Sequence, residues 1–152
     1  MEKSLWFQLI SAFFVSFSFA ILTNSPKKTL VFCGISGTIG WFVNIILLRS
    51  NFSPVIAVFF AALMVNIFSE IFARLLKNPV PIFLIPGIIP LVPGAGMYNT
   101  MTALIKNNFD TAIKTGIQTL LIAGSIAIAL MLVTSFNWIF KVFQKTKLVN
   151  KK

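Results

Sequence analysis

The sequence predicts an all-α membrane protein with about five transmembrane helices, the fourth of them broken by proline and glycine. Three observations predict it. Charged residues make up 11% of the 152 residues and hydrophobic ones 57%. A soluble domain carries about 25% charged residues, so a water-facing surface cannot be built from this composition. Long charge-free runs recur along the chain, and five of its seven prolines crowd into the fourth run. Five spans of roughly 22 residues fit the length, with short loops and a tail left over. That leaves no room for an appended soluble enzyme domain.

The spans are expected at about 5–22, 29–48, 54–76, 80–105 and 113–140, followed by a basic tail over 141–152. The first run is balanced at its start by Glu2 and Lys3 and lacks a clear A-x-A site, so it reads as a span rather than a cleaved leader. The second is entered through Asn24-Ser25-Pro26-Lys27-Lys28, a water-exposed turn. The third begins at Pro54, a good first-turn residue. The fourth, Asn78 to Ile105, carries no charge and holds Pro79, Pro81, Pro86, Pro90 and Pro93. The fifth leads into Lys141, Lys145, Lys147, Lys151 and Lys152.

The net charge is +10, from 13 Lys and Arg against three Asp and Glu. The cations lie at segment ends, which fits the positive-inside bias and anionic headgroups rather than a nucleic-acid groove. With five spans, nine cations fall on one side (Lys27, Lys28, Arg74, Lys77 and the tail lysines). Four fall on the other (Lys3, Arg49, Lys106, Lys114). The expected topology has the N-terminus outside and the C-terminus in the cytoplasm of a cell-membrane protein. A re-entrant fourth run would split the cations seven against six, so the charge asymmetry favours five spans.

Small residues recur at helical spacing: Gly34, Ser36, Gly37 and Gly40 in the second run, and Ala62, Asn66, Ser69 and Ala73 in the third. The fifth run carries Thr111, Thr115, Thr119, Ala123 and Ala127, with Gly116 and Gly124 nearby. Two readings fit these stripes. One is close helix packing; the other makes Asn44, Asn66 or Ser69 part of a polar pathway. Glu70, the one carboxylate within a span, has Arg74 four residues on. It is either a neutralised pair near the surface or a proton or substrate site. Asp110 suits a helix start, Cys33 a buried small side chain, and Trp6 and Trp138 the membrane interface.

The informative stretch is Ile85-Pro86-Gly87-Ile88-Ile89-Pro90-Leu91-Val92-Pro93-Gly94-Ala95-Gly96-Met97-Tyr98-Asn99. Each proline lacks an N–H and clashes with the carbonyl four residues back. Pro86 would free the carbonyl of Ile82, Pro90 that of Pro86, and Pro93 that of Ile89. An unpaired carbonyl in hydrocarbon costs several kcal/mol, so the break needs protein, water or ligand as partner. A helix restarting after Pro93-Gly94 would offer the N–H groups of Gly94, Ala95, Gly96 and Met97. Such a start attracts anions, and glycine lets a ligand approach the backbone. Transporters hold carboxylates and coupling ions at broken helices of this kind. The candidate substrate site is therefore Pro86, Gly87, Pro90, Pro93, Gly94, Ala95, Gly96, Tyr98 and Asn99, with Thr102 nearby and Asn44, Asn66 and Glu70 as a possible coupling pathway. The competing reading is a kinked span satisfied by its neighbours.

At these residues the sequence resembles the threonine/serine exporter family, in its small integral-membrane half. The pattern Pro-Gly-Ile-Ile-Pro-Leu-Val-Pro-Gly, followed by a small residue and Tyr98, looks like that family's signature. Phe19-Ala20-Ile21-Leu22-Thr23-Asn24-Ser25-Pro26 resembles the end of its first span. Gly34-Ile35-Ser36-Gly37-Thr38-Ile39-Gly40 resembles its glycine-rich second span. The resemblance implies a secondary exporter of threonine and serine or, in related two-subunit systems, succinate. It also implies a separate, larger homologous membrane subunit as partner; a homo-oligomer is the other arrangement left open. A non-transporting assembly subunit is the alternative role. No H-E-x-x-H, G-x-S-x-G or G-x-x-x-x-G-K-[ST] motif is present, so neither an intramembrane enzyme nor an ATP-driven pump is expected. No histidine and one cysteine leave no His/Cys metal site and no cofactor to expect.

Overall fold

The structure, a computed structural model, describes residues 4–149, with side chains through Ser135. The expected interface role of Trp138 and the placement of the tail lysines lie outside the described side chains. The described chain is helical throughout: α1 (Leu5–Leu22), α2 (Leu30–Arg49), α3 (Pro54–Leu76), α4 (Pro81–Ile88), a short 3₁₀ turn (Ile89–Leu91), α5 (Gly94–Ile105) and α6 (Phe109–Val149). Four helices are long and apolar enough to cross a bilayer, and α4 with its 3₁₀ turn joins α5 at a 47° bend, a pair with the length and composition of a broken fifth span or a re-entrant loop. The last helix starts at Phe109 rather than near 113. Asn108 accounts for that difference, since its Oδ1 accepts the N–H of Thr111 at 3.2 Å and caps the helix four residues early.

The loops are short because one stopping device recurs. Asn24, Asn51, Lys77 and Asn107 adopt φ of 52, 61, 54 and 54°, the left-handed conformation that reverses a helix end. The following N–H then reaches back into the last turn: Ser25 to Ala20 O (3.0 Å), Phe52 to Leu47 O (3.1 Å), Asn78 to Ala73 O (3.0 Å) and Asn108 to Ala103 O (2.9 Å). Asparagine holds three of these positions because its short polar side chain tolerates this backbone better than most. On the other side of the second stop, Ser53 Oγ accepts the Ile56 N–H at 3.4 Å and Pro54 opens α3.

The helices pack as α1 on α2, α2 on α3 and α3 on α6, while α4 lies in the groove of α1, α2 and α3. Among the described residues, α5 packs on α6 alone. One core joins Val58, Ala61, Ala62 and Val65 to Leu91, Ile126 and Ala129. A second joins Ala20, Cys33 and Ala73 around Phe83, which is fully buried. Phe32, Phe72 and Phe83 meet edge to face or tilted, at 5.2 and 6.2 Å between centroids. The interiors are built from Ala, Ser and Gly because association in lipid rewards close backbone approach. The exposed faces of α2 and α3 are apolar up to their basic ends.

Candidate functional site at the broken fourth span

Sequence reasoning expects the break to extend from Pro86 to Pro93, but α4 continues through Pro86. The reason lies on α2. The Cys33 thiol donates to the Ile82 carbonyl at 3.2 Å, the acceptor that Pro86 cannot serve. A thiol is a weak donor, yet here it fills the gap in the ladder. The break itself narrows to the 3₁₀ turn, an extended Val92 and Pro93. There the Val92 N–H reaches the Ile89 carbonyl at 3.2 Å, so the acceptor left by Pro93 is also met. Pro90 still has no N–H to offer the Pro86 carbonyl.

Around α4 the helices touch backbone to backbone. A Cβ added at Gly37 would overlap Ser16 Oγ and stand 3.3 Å from the Gly87 carbonyl oxygen. One added at Gly87 would stand 2.6 Å from Ser36 Oγ and 3.0 Å from Val65. Gly40 is closed off by Val65 and, more loosely, Leu91. Ser36 and Ser69 share a hydrogen bond of 3.2 Å in this interior. Ser16 Oγ, Asn44 Oδ1 and Asn66 Oδ1 are buried there without a partner, while the Asn66 amide donates to the Leu130 carbonyl at 3.1 Å. Unmet acceptors inside a membrane protein are costly. Asn44 lies one turn beyond Gly40 on the same face of α2, toward the level of the break. Ser16 was missed from the sequence, although Ala12, Ser16 and Ala20, the buried residues of α1, recur every four positions.

The start of α5 differs. Pro93 occupies the N-cap without a side-chain hydrogen bond. Of the four donors expected there, Gly94 N–H turns back to Val92 O at 2.8 Å and Met97 N–H bonds Pro93 O at 3.2 Å. The free donors are therefore those of Ala95 and Gly96. Nothing lies within 4 Å of a Cβ built at Gly94, whereas one at Gly96 would strike Thr119. Gly96, Thr100 and Ala103 form the face on α6, with Thr100 donating to Thr115 at 3.1 Å and Ala103 buried. Ala95, Asn99 and Thr102 share another face at i, i+4 and i+7; Asn99 is exposed and Tyr98 is 72% exposed.

The predicted residues thus fall into two groups. Pro86 and Gly87 are buried in the cradle, and Pro90 and Pro93 are half-buried at the turn. Gly94, Ala95, Tyr98 and Asn99 stand exposed on α5, with Gly96 half-buried against α6. Of the residues placed on a coupling pathway, Asn44 and Asn66 are buried without full satisfaction, whereas Glu70 is paired with Arg74 at 3.6 Å near the end of α3. The stripe on α6 splits: Thr119 is buried against α5, Thr115 and Ala123 are half-buried, and Thr111 and Ala127 are exposed. It splits because α6 serves α5 along its first half and α3 further on.

No solved structure matches this chain. An uncharacterised protein of Haemophilus influenzae (strain ATCC 51907 / DSM 11121 / KW20 / Rd) is 28% identical over 137 residues, covering 84% of this chain and 46% of that protein. The chain therefore spans about half the length of that relative. The family described as "Threonine/Serine exporter, ThrE" matches residues 8–136, which take in most of α1, all of α2 to α5 and the first part of α6. With that match over most of its length, the chain belongs to the threonine/serine exporter family.

Proposed function

We propose that this chain is one membrane half of a secondary exporter of small carboxylate-bearing metabolites, threonine and serine or a dicarboxylate such as succinate. Its partner in this reading is a larger homologous membrane subunit. The observation that carries the reading is the start of α5. Two unbonded N–H groups, Ala95 and Gly96, open a 12-residue helix after a break inside the span. Twelve residues rise about 18 Å, so this start lies near the middle of a hydrocarbon layer about 30 Å thick. Free donors and the positive end of a helix dipole at that depth suit a carboxylate. Gly94 leaves the approach open. The orientation that goes with this reading is N-terminus outside and C-terminus in the cytoplasm, with Lys27, Lys28 and Lys77 on the cytoplasmic side.

The second reading, an assembly subunit that touches no substrate, is favoured by the tight glycine and serine cradle around α4, which is all packing. Export of labelled threonine, serine and succinate separates the two. Cells lacking this chain, its partner or both should retain substrate, and Gly94→Leu should abolish export while the complex still assembles. Unchanged export in all three strains would sink the transporter reading. Normal export by Gly94→Leu would favour the assembly role.

A further inference from the structure

We infer that the exposed face of the α5–α6 hairpin is the surface on which the homologous membrane half docks, so that the α5 start is closed between the two halves. This rests on the exporter reading above. Within the described spans, the amide side chains left exposed are Asn99 on α5 and Gln118 on α6. The hairpin brings them to similar depth, because Gly96 lies against Thr119 and Thr100 bonds Thr115. Asn99 is six residues from the end of α5, about 9 Å inside the helix end. An amide facing acyl chains at that depth loses its hydrogen-bonding partners. Tyr98, 72% exposed beside Asn99, adds a phenol to the same stretch.

No other lipid-facing surface of the described chain is of this kind. The exposed faces of α2 and α3 offer apolar side chains, and α1 exposes the small hydroxyls of Ser11, which donates to the Phe7 carbonyl at 2.8 Å, and Ser18, but no amide. Polar groups on α5 and α6 therefore need protein or enclosed water beside them. The occupant is indicated by length. The Haemophilus influenzae relative is about twice as long as the part matched here, so in that protein a further stretch of similar length accompanies the matched half. In the proposed arrangement the seat on α5 and α6 is taken by such a stretch, carried by the partner subunit of the exporter reading above. Its seat on α5 would leave Ala95 and Gly96 N–H facing an enclosed space rather than lipid.

The test is photo-crosslinking in intact membranes with p-benzoyl-phenylalanine placed singly at Tyr98, Met101 or Leu121, and at Phe42 and Ile67 as lipid-facing controls. Adducts from positions 98 and 101, identified by peptide sequence as a second protein of the threonine/serine exporter family, are the expected result, at least tenfold above the controls. Adducts with lipid only, or with a second copy of this chain, would overturn the assignment. So would family adducts that arise from Phe42 or Ile67 instead. Export is measured in the same strains. Adducts at 98 without any export would remove the transporter reading and leave the interface. Export dependent on the partner, with adducts only at the controls, would do the reverse.

Discussion

The two halves of the broken span share one sequence style and meet opposite fates. α4 carries Pro81 and Pro86, and three helices close around it. α5 carries Gly94 and Gly96 and leans on a single helix. In α4 the hydrogen bond lost at Pro86 is made good by Cys33 from α2, and Gly87 is closed in by Ser36 and Val65. In α5 two backbone donors stay unused and Gly94 faces open space. Helix breakers therefore serve two purposes within 25 residues. Where neighbours supply partners, a proline becomes a packing device. Where they do not, the freed groups stay unpaired among the described residues.

The sharpest break of this comparison is at the α4 cradle. Gly37→Ala drives a methyl into Ser16, and overpacking of this kind costs about 1–3 kcal/mol, sometimes more. The expected result is loss of the folded protein from detergent extracts or a large fall in thermal midpoint. Pairing it with Ser16→Gly should recover most of the loss, and failure to recover would mean that the contact is not the cause. Gly96→Ala probes the inner face of α5 in the same way. It should lower the midpoint by a smaller amount, because Thr119 alone stands in the way, and Thr119→Ala should relieve it.

Cys33 tests the compensated proline. Removing a buried donor leaves its acceptor unmet, at a cost of about 1–3 kcal/mol. Cys33→Ala should therefore be destabilised in chemical or thermal unfolding, and Cys33→Ser, which keeps a donor, should sit closer to the parent. Equal loss for both would count against the hydrogen bond. Gly94→Ala is the opposite case. Its Cβ meets nothing, so stability should stay within about 0.5 kcal/mol, and export should fall if a ligand uses that space. A small effect on stability is also expected at Arg74→Gln. Its pair with Glu70 is long, at 3.6 Å, and Arg74 is 65% exposed, so the pair contributes less than about 1 kcal/mol.

Much of the fold could be read from residue order because the bilayer imposes a one-dimensional rule. Apolar runs of sufficient length between loops had to be helices, and the α1 and α3 runs read from hydropathy coincide with Leu5–Leu22 and Pro54–Leu76. The asparagine stops were present as Thr23-Asn24-Ser25 and Ser50-Asn51-Phe52 but went unread, because asparagine in a turn signals several geometries. The proline cluster marked the bend, and the helix expected to restart from Ala95, after Pro93-Gly94, begins one residue earlier, at Gly94.

By itself, then, the sequence determined how many apolar segments there are, where the proline-rich one must bend, and that its glycines allow close approach. Only the tertiary structure decided which carbonyls found donors, that Pro86 would stay inside a helix, and that the donors left free at the break sit on α5. The physical reason is that a proline removes a hydrogen bond locally, whereas its replacement comes from a residue distant in the chain. Cys33 and Ile82 are 49 positions apart, and no local pattern can announce that they meet.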